Sequence, residues 1–152
     1  MEAKDLIVSR KAVRQYSGQI SDDQLQQILL AANAGPVGLG GYEKFRLTVI
    51  QDEQVLAKLN GIYGAPTVIV LSVKEPDESD VLSAGAIVHN MELAAENQGL
   101  GANYNMASLG SYPDGVLPEG FKPVFAITLG QTTEEFTPRE IPLDRIKTNT
   151  VK

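Results

Sequence analysis

A chain of 152 residues with a formal charge of −6 and 43% hydrophobic residues suits one ordinary domain, and it is too acidic for a general nucleic-acid role. It has no cysteine, which excludes disulfides, iron–sulfur clusters and thiolate zinc sites, and its one histidine argues against a histidine-rich metal centre. No apolar run approaches the roughly 20 residues of a membrane span and the amino terminus has no signal-peptide pattern, so a cytoplasmic protein without a membrane partner is expected.

Leu6, Ile7 and Val8 support a short helix from Ala3 to Arg10. It runs into Ser9-Arg10-Lys11-Ala12-Val13-Arg14-Gln15-Tyr16. Lys4, Arg10, Lys11 and Arg14 face only Glu2 and Asp5 in the first fourteen residues, a local charge of +2 on an acidic chain. Such a knot calls for an anionic partner or a solvated face. Arginine forks match phosphate oxygens in pairs, so a dianionic phosphate is the sharper reading and a solvated helix end the plain one.

Ser21-Asp22-Asp23-Gln24 reads as a capping box opening a helix through Leu25, Ile28, Leu29 and Ala32. Gly35-Pro36 should stop it, and Pro36 to Gly41 must be a loop. Phe45 to Ile50 alternates as a strand, and Glu53 to Leu59 suits a short helix. Pro66 to Val73 is a β-branched run, predicting a strand buried on both faces. Ser79 to Gln98 is the longest helical pattern, apolar almost all round and hence central, with Gly99 as its carboxy-terminal cap. Strands at Ala102–Met106 and Val124–Leu129 follow, then a charged, proline-punctuated tail from Thr132. The whole of 1–152 reads as one α+β domain.

No side chain stands out as catalytic and no metal site is assigned. There is no Gly-x-Ser-x-Gly elbow and no cysteine nucleophile, and His89, inside the central helix, reads as a hydrogen-bonded core residue sooner than as a base. Gly99-Leu100-Gly101 follows a helix and precedes a strand, the reverse of a dinucleotide fingerprint. Few acid–base groups, glycine loops and phosphate-ready arginines suggest that a bound cofactor supplies the reactivity.

The order and spacing of these pieces resemble the nitroreductase family. Arg10 to Tyr16 is similar to its Arg-x-Ser-x-Arg/Lys-x-Phe phosphate motif, Ala32 to Gly38 to the helix end and small-residue loop, and Phe45 to Ile50 to the next strand. Tyr63-Gly64-Ala65-Pro66 resembles its Ala-Pro entry into a central strand, and Ala86 to Gly101 its long helix and glycine turn. With Pro118 to Pro123 and the strand ending at Gly130, the likeness covers nearly the whole chain.

The resemblance implies a mainly antiparallel central sheet flanked by helices, and an intertwined cytoplasmic homodimer binding FMN at its interface. It implies a flavoprotein oxidoreductase in which NAD(P)H reduces the flavin and a small electron-poor acceptor, such as a nitroaromatic or quinone, reoxidises it. The alternative is a flavin- or small-ligand-binding protein without turnover. Carried over by position, Arg10, Lys11, Ala12 and Arg14 fall at the phosphate, with Thr137 and Arg139 as a carboxy-terminal clamp. Pro36, Val37, Gly38 and Leu39 of the second subunit would line the ring, as would Tyr104, Asn105, Met106 and Ala107. Three departures stand out. Ala12 replaces the usual serine, Gly40 to Lys44 lacks the common Asn-x-Gln-Pro-Trp, and residues 105–117 are short where many members carry an extra helix.

Overall fold

A computed structural model describes residues 2–152. It contains helix α1 (Ala3–Ser9), helix α2 (Asp22–Asn33), two single 3₁₀ turns (Gly38–Gly40 and Tyr42–Lys44) and strand β1 (Phe45–Ile50). Helix α3 (Glu53–Leu56), strand β2 (Thr67–Lys74), helix α4 (Glu78–Asn97), strand β3 (Gly101–Asn105) and strand β4 (Phe121–Gly130) complete it. The four strands form one antiparallel sheet in the order β1-β2-β4-β3. Among the described residues no helix is long and apolar enough to cross a membrane.

The capping box at Ser21 forms as expected: its side chain accepts from Gln24 N–H, while the Gln24 side chain accepts from Ser21 N–H. Helix α4 starts one residue before its expected first residue because Asp77 and Asp80 make a second reciprocal box. Central strand β2 is buried on both faces. Ile69 and Leu71 join Ile87, Val88, Met91 and Ala95 of α4 and Ile28 of α2 in one core. Val68 and Val70 face the opposite way, against Leu56, Leu59, Ile62 and Ala126. Leu109, Tyr112, Val116 and Leu117 cover that second core, so the helix-free 105–117 segment is spent on closing the sheet.

Strand β4 begins three residues before its expected start at Val124, carrying Pro123 within it. The register skips Val124 between the Leu71–Phe125 and Ser72–Pro123 pairs, and β3 ends opposite Ala126. Proline lacks an N–H, and an irregularity in the ladder such as this one is where a strand tolerates it.

Candidate functional site

The site begins where α1 stops. Beyond Ser9 the chain turns extended and crosses the carboxy-terminal half of α4. Val13 is fully buried and its N–H donates to the Ala102 carbonyl at 3.0 Å. The Tyr16 hydroxyl donates to the Val13 carbonyl at 3.1 Å. Gly101 makes this crossing possible, because a Cβ there would stand 2.7 Å from Val13 Cγ1. With Val13 turned inward, Arg14 turns out to solvent, and Arg10 and Lys11 lie half-buried on α4.

Arg10 meets a buried acid: its Nη1 donates to Oε1 of Glu92, 1% exposed, at 3.0 Å. Lys11 donates its backbone N–H to Glu96 Oε1 at 2.8 Å, and its Nζ pairs with Glu134 at 2.9 Å. Arg139 returns from the tail to donate Nε to the Val8 carbonyl at 3.0 Å and Nη2 to the Arg10 carbonyl at 2.6 Å. Arg14 has no carboxylate within ion-pair distance among the described residues, and its guanidinium stands 5.8 Å above the Tyr63 ring.

Two acids one helical turn apart set the electrostatics. Glu92 Oε2 and Glu96 Oε2 are buried without a hydrogen-bond partner. Burial pushes the Glu96 carboxyl up to about 7; the Glu92 charge adds to this, while the Lys11 N–H, Arg10 and Arg139 oppose it. For Arg10, burial opposes the charged form, but Glu92, with help from Tyr104 and Glu96, leaves the guanidinium above its ordinary value.

Tyr104 lies at the same place. Its ring is 5.9 Å from the Arg10 guanidinium and 5.5 Å from the Phe125 ring, and its hydroxyl bonds to His89 Nδ1. Burial and the nearby Glu92 carboxylate raise its phenol well above the ordinary tyrosine value. His89 is therefore no core residue: its side chain is 43% exposed, at the edge of α4.

The other predicted site residues lie elsewhere or face inward. Asn105 is buried, donating Nδ2 to the Gly61 carbonyl at 2.8 Å while its Oδ1 accepts from Ser108 N–H at 2.9 Å. Met106 and Ala107 are exposed beyond it, as is Thr137 in the tail, and Ala12 is half-buried. The Pro36–Leu39 loop packs against the other half of α4, with Gly38 N–H donating to Ser83 Oγ at 3.3 Å. Ser83 and Glu92 are about 13 Å apart along the helix axis, so one chain does not bring this loop to the basic knot. Gly38 does not have a positive φ; in this loop the left-handed residues are Leu39 (φ 56°) and Gly40 (φ 67°). A cleft of about 770 Å³ opens among Leu56, Leu59, Ile62 and Pro66, and touches the knot's surroundings only through Tyr63.

The two acids lie outside the site that the sequence predicts. Glu92 and Glu96 lie on the face of α4 that carries Val88, Met91 and Ala95, and an acid on such a face needs a cationic partner. That spacing was the available signal.

No protein-family model and no curated protein matches the chain. Solved structures do. A nitroreductase with bound FMN from Desulfitobacterium hafniense DCB-2 superposes with a TM-score of 0.78 at 21% identity, covering 95% of this chain and 96% of that one. An FMN-dependent nitroreductase from Clostridium difficile R20291 gives 0.77 at 24%, covering 96% and 97%. A Bacteroides thetaiotaomicron VPI-5482 protein, provisionally named an NADH dehydrogenase/NAD(P)H nitroreductase, gives 0.75 at 25%, covering 96% of each chain. The chain has the nitroreductase fold over nearly its whole length.

Proposed function

We propose that this chain is an FMN-dependent NAD(P)H oxidoreductase, working as a homodimer on nitroaromatic, quinone or other electron-poor acceptors. The observation that carries this reading is that Arg10 lies 5.9 Å from the Tyr104 ring, its carbonyl held by Arg139 from the far end of the chain, in a segment that also supplies Lys11 and the exposed Arg14. Their chemistry fits a phosphate monoester. Arg10 gives one Nη1 bond to Glu92 and keeps the rest of its fork, and Arg14 has no acid partner. The Lys11 N–H is committed to Glu96 and Ala12 offers no hydroxyl, so a phosphate here rests on side-chain cations.

When bound, FMN supplies hydride transfer between a nicotinamide and an acceptor. The chain's own contribution is binding and orientation. Arg10 and Arg14 hold the phosphate, Arg139 fixes the backbone that presents Arg10, and Tyr104 offers an aromatic face beside it.

The dimer completes the site. A second copy's Pro36–Leu39 loop would supply the wall that the chain's own loop, about 13 Å away along α4, does not. Leu39 supports this: it is fully exposed in a left-handed conformation, which is costly for a branched apolar residue without a contact to hold it. Val81 and Leu82 on α4 and Leu143, Ile146 and Val151 in the tail are also exposed, by 53%, 77%, 98%, 81% and 93%, apolar surface that a partner subunit would cover.

The absence of a hydroxyl at Ala12 and the short, helix-free 105–117 segment support the second reading, a flavin-binding protein without turnover. An absorbance spectrum after incubation with FMN and removal of the free flavin tests binding. Anaerobic bleaching of that spectrum by NADH or NADPH then separates enzyme from carrier. Protein that retains no flavin would end both readings.

A further inference from the structure

We infer that Glu92 determines how strongly the Arg10–Arg14 knot selects a phosphate-bearing ligand, acting as a built-in anion on one of its two arginines. This rests on the reading of the knot as a flavin-phosphate site. Glu92 is 1% exposed and lies beneath Arg10, whose side chain is 33% exposed, with Oε1 3.0 Å from Nη1. The contact is one bond, not a two-bond fork, so the outer edge of Arg10 remains open to solvent and to a ligand. Its charge, however, is already matched by a carboxylate that water cannot screen.

The neighbouring cations are engaged in similar ways. Lys11 Nζ is paired with Glu134, and the Arg139 guanidinium is turned onto two backbone carbonyls. Arg14 is the cation of the knot without an acid partner among the described residues. A phosphate dianion at Arg10 therefore meets a guanidinium whose charge Glu92 already offsets. The part of a flavin that lacks phosphate is indifferent to that cancellation. Glu92 is thus a positioning residue that orients Arg10 while weakening its preference for a dianion.

Glu92→Gln separates the two effects. A glutamine Oε1 accepts the same bond from Arg10, and only the charge is lost. Fluorescence titration of the flavin-free protein with FMN and with riboflavin should show FMN binding tightened about tenfold in Glu92→Gln, with riboflavin binding unchanged. An unchanged ratio of the two affinities would overturn the inference. If neither flavin binds either protein, the flavin reading has failed, and thermal shift in inorganic pyrophosphate decides the role of Glu92. A larger pyrophosphate-dependent rise in Tm for Glu92→Gln supports it, and equal rises overturn it. Should Glu92→Gln not fold, wild-type protein gives the answer: a preference for FMN over riboflavin below about a hundredfold, well short of the roughly thousandfold of two uncancelled arginines, supports a half-cancelled knot, and a greater preference refutes it.

Discussion

Arg10 and Glu92, 82 positions apart in the chain, form an ion pair in which the acid is buried and the base is two-thirds so. That relationship separates the two arginines of the knot. Arg10→Ala leaves an uncompensated buried carboxylate and should destabilise the flavin-free protein by about 3 kcal/mol. Arg14→Ala removes an exposed, unpaired charge and should change stability by less than about 0.5 kcal/mol. Both should weaken FMN binding by about 2 kcal/mol, roughly thirtyfold. Urea unfolding and flavin titration of the two variants check this; equal stability losses would remove the distinction. An apo fold insensitive to Arg10→Ala, which the basic sequence alone suggests, is not expected once Glu92 is seen.

Glu96 gives the pH dependence a sign. Its folded-state pKa, pushed up to about 7 by burial, lies above that of an unfolded glutamate. The stability it contributes is fully present below about pH 4 and is lost as pH rises through 7. Glu96→Gln keeps the acceptor for the Lys11 N–H and removes the titration. Its Tm should match wild type near pH 4 and exceed it increasingly toward pH 8, corresponding to about 2 kcal/mol. Parallel melting curves for the two proteins across that range would show that Glu96 does not carry this cost.

Glycine substitutions should sort by what the added carbon meets. At Gly130 a Cβ would lie 2.7 Å from Tyr16 Cδ1 and 2.9 Å from Pro66 Cδ, two rings with no room to retreat. Gly130→Ala should cost on the order of 3 kcal/mol. At Gly38 the obstacle is the rotatable Ser79 Oγ at 2.7 Å, so Gly38→Ala should cost less than about 1 kcal/mol. Gly38→Val carries more bulk into the loop and should selectively impair FMN binding or its reduction if that loop walls the flavin in a dimer. A folded, dimeric Gly38→Val protein with wild-type flavin affinity and NADH bleaching would sink the composite site.

Asn105 is expected to act on stability, not on flavin contact. Both ends of its buried amide are satisfied by its own chain, through the Gly61 carbonyl and the Ser108 N–H. Asn105→Ala orphans both and should cost about 2 kcal/mol in urea unfolding. FMN affinity of the remaining folded protein should change less than threefold.

The tail past residue 140 should matter only between chains. Beyond Arg139 its backbone hydrogen bonds are local, as between Arg145 N–H and the Pro142 carbonyl, and Leu143, Ile146 and Val151 are exposed. Removing residues 141–152 should leave the circular dichroism spectrum unchanged and shift sedimentation at micromolar concentration from dimer toward monomer. A full-length monomer under those conditions would remove the shared flavin site.

What the sequence determined by itself was local. Capping residues at Ser21, the β-branched run through Val68 to Val73 and the unbroken apolar helix before Gly99 each fix an element within a few residues, because hydrogen-bond satisfaction and hydrophobic period act over short spans. The basic knot was legible for the same reason, as a charge excess in one short segment. The tertiary structure alone decided what that knot faces. Glu92 comes from the middle of α4, Arg139 from the far end of the chain and Tyr104 from β3, and no spacing rule joins them to Arg10. Likewise Asn105 and His89 exchanged their expected roles, one turned inward to pin a loop and the other left at a helix edge beside Tyr104. Which side of α4 meets which strand sets those outcomes. Packing chooses that side, because burying the larger apolar stripe outweighs the cost of placing two carboxylates under an arginine.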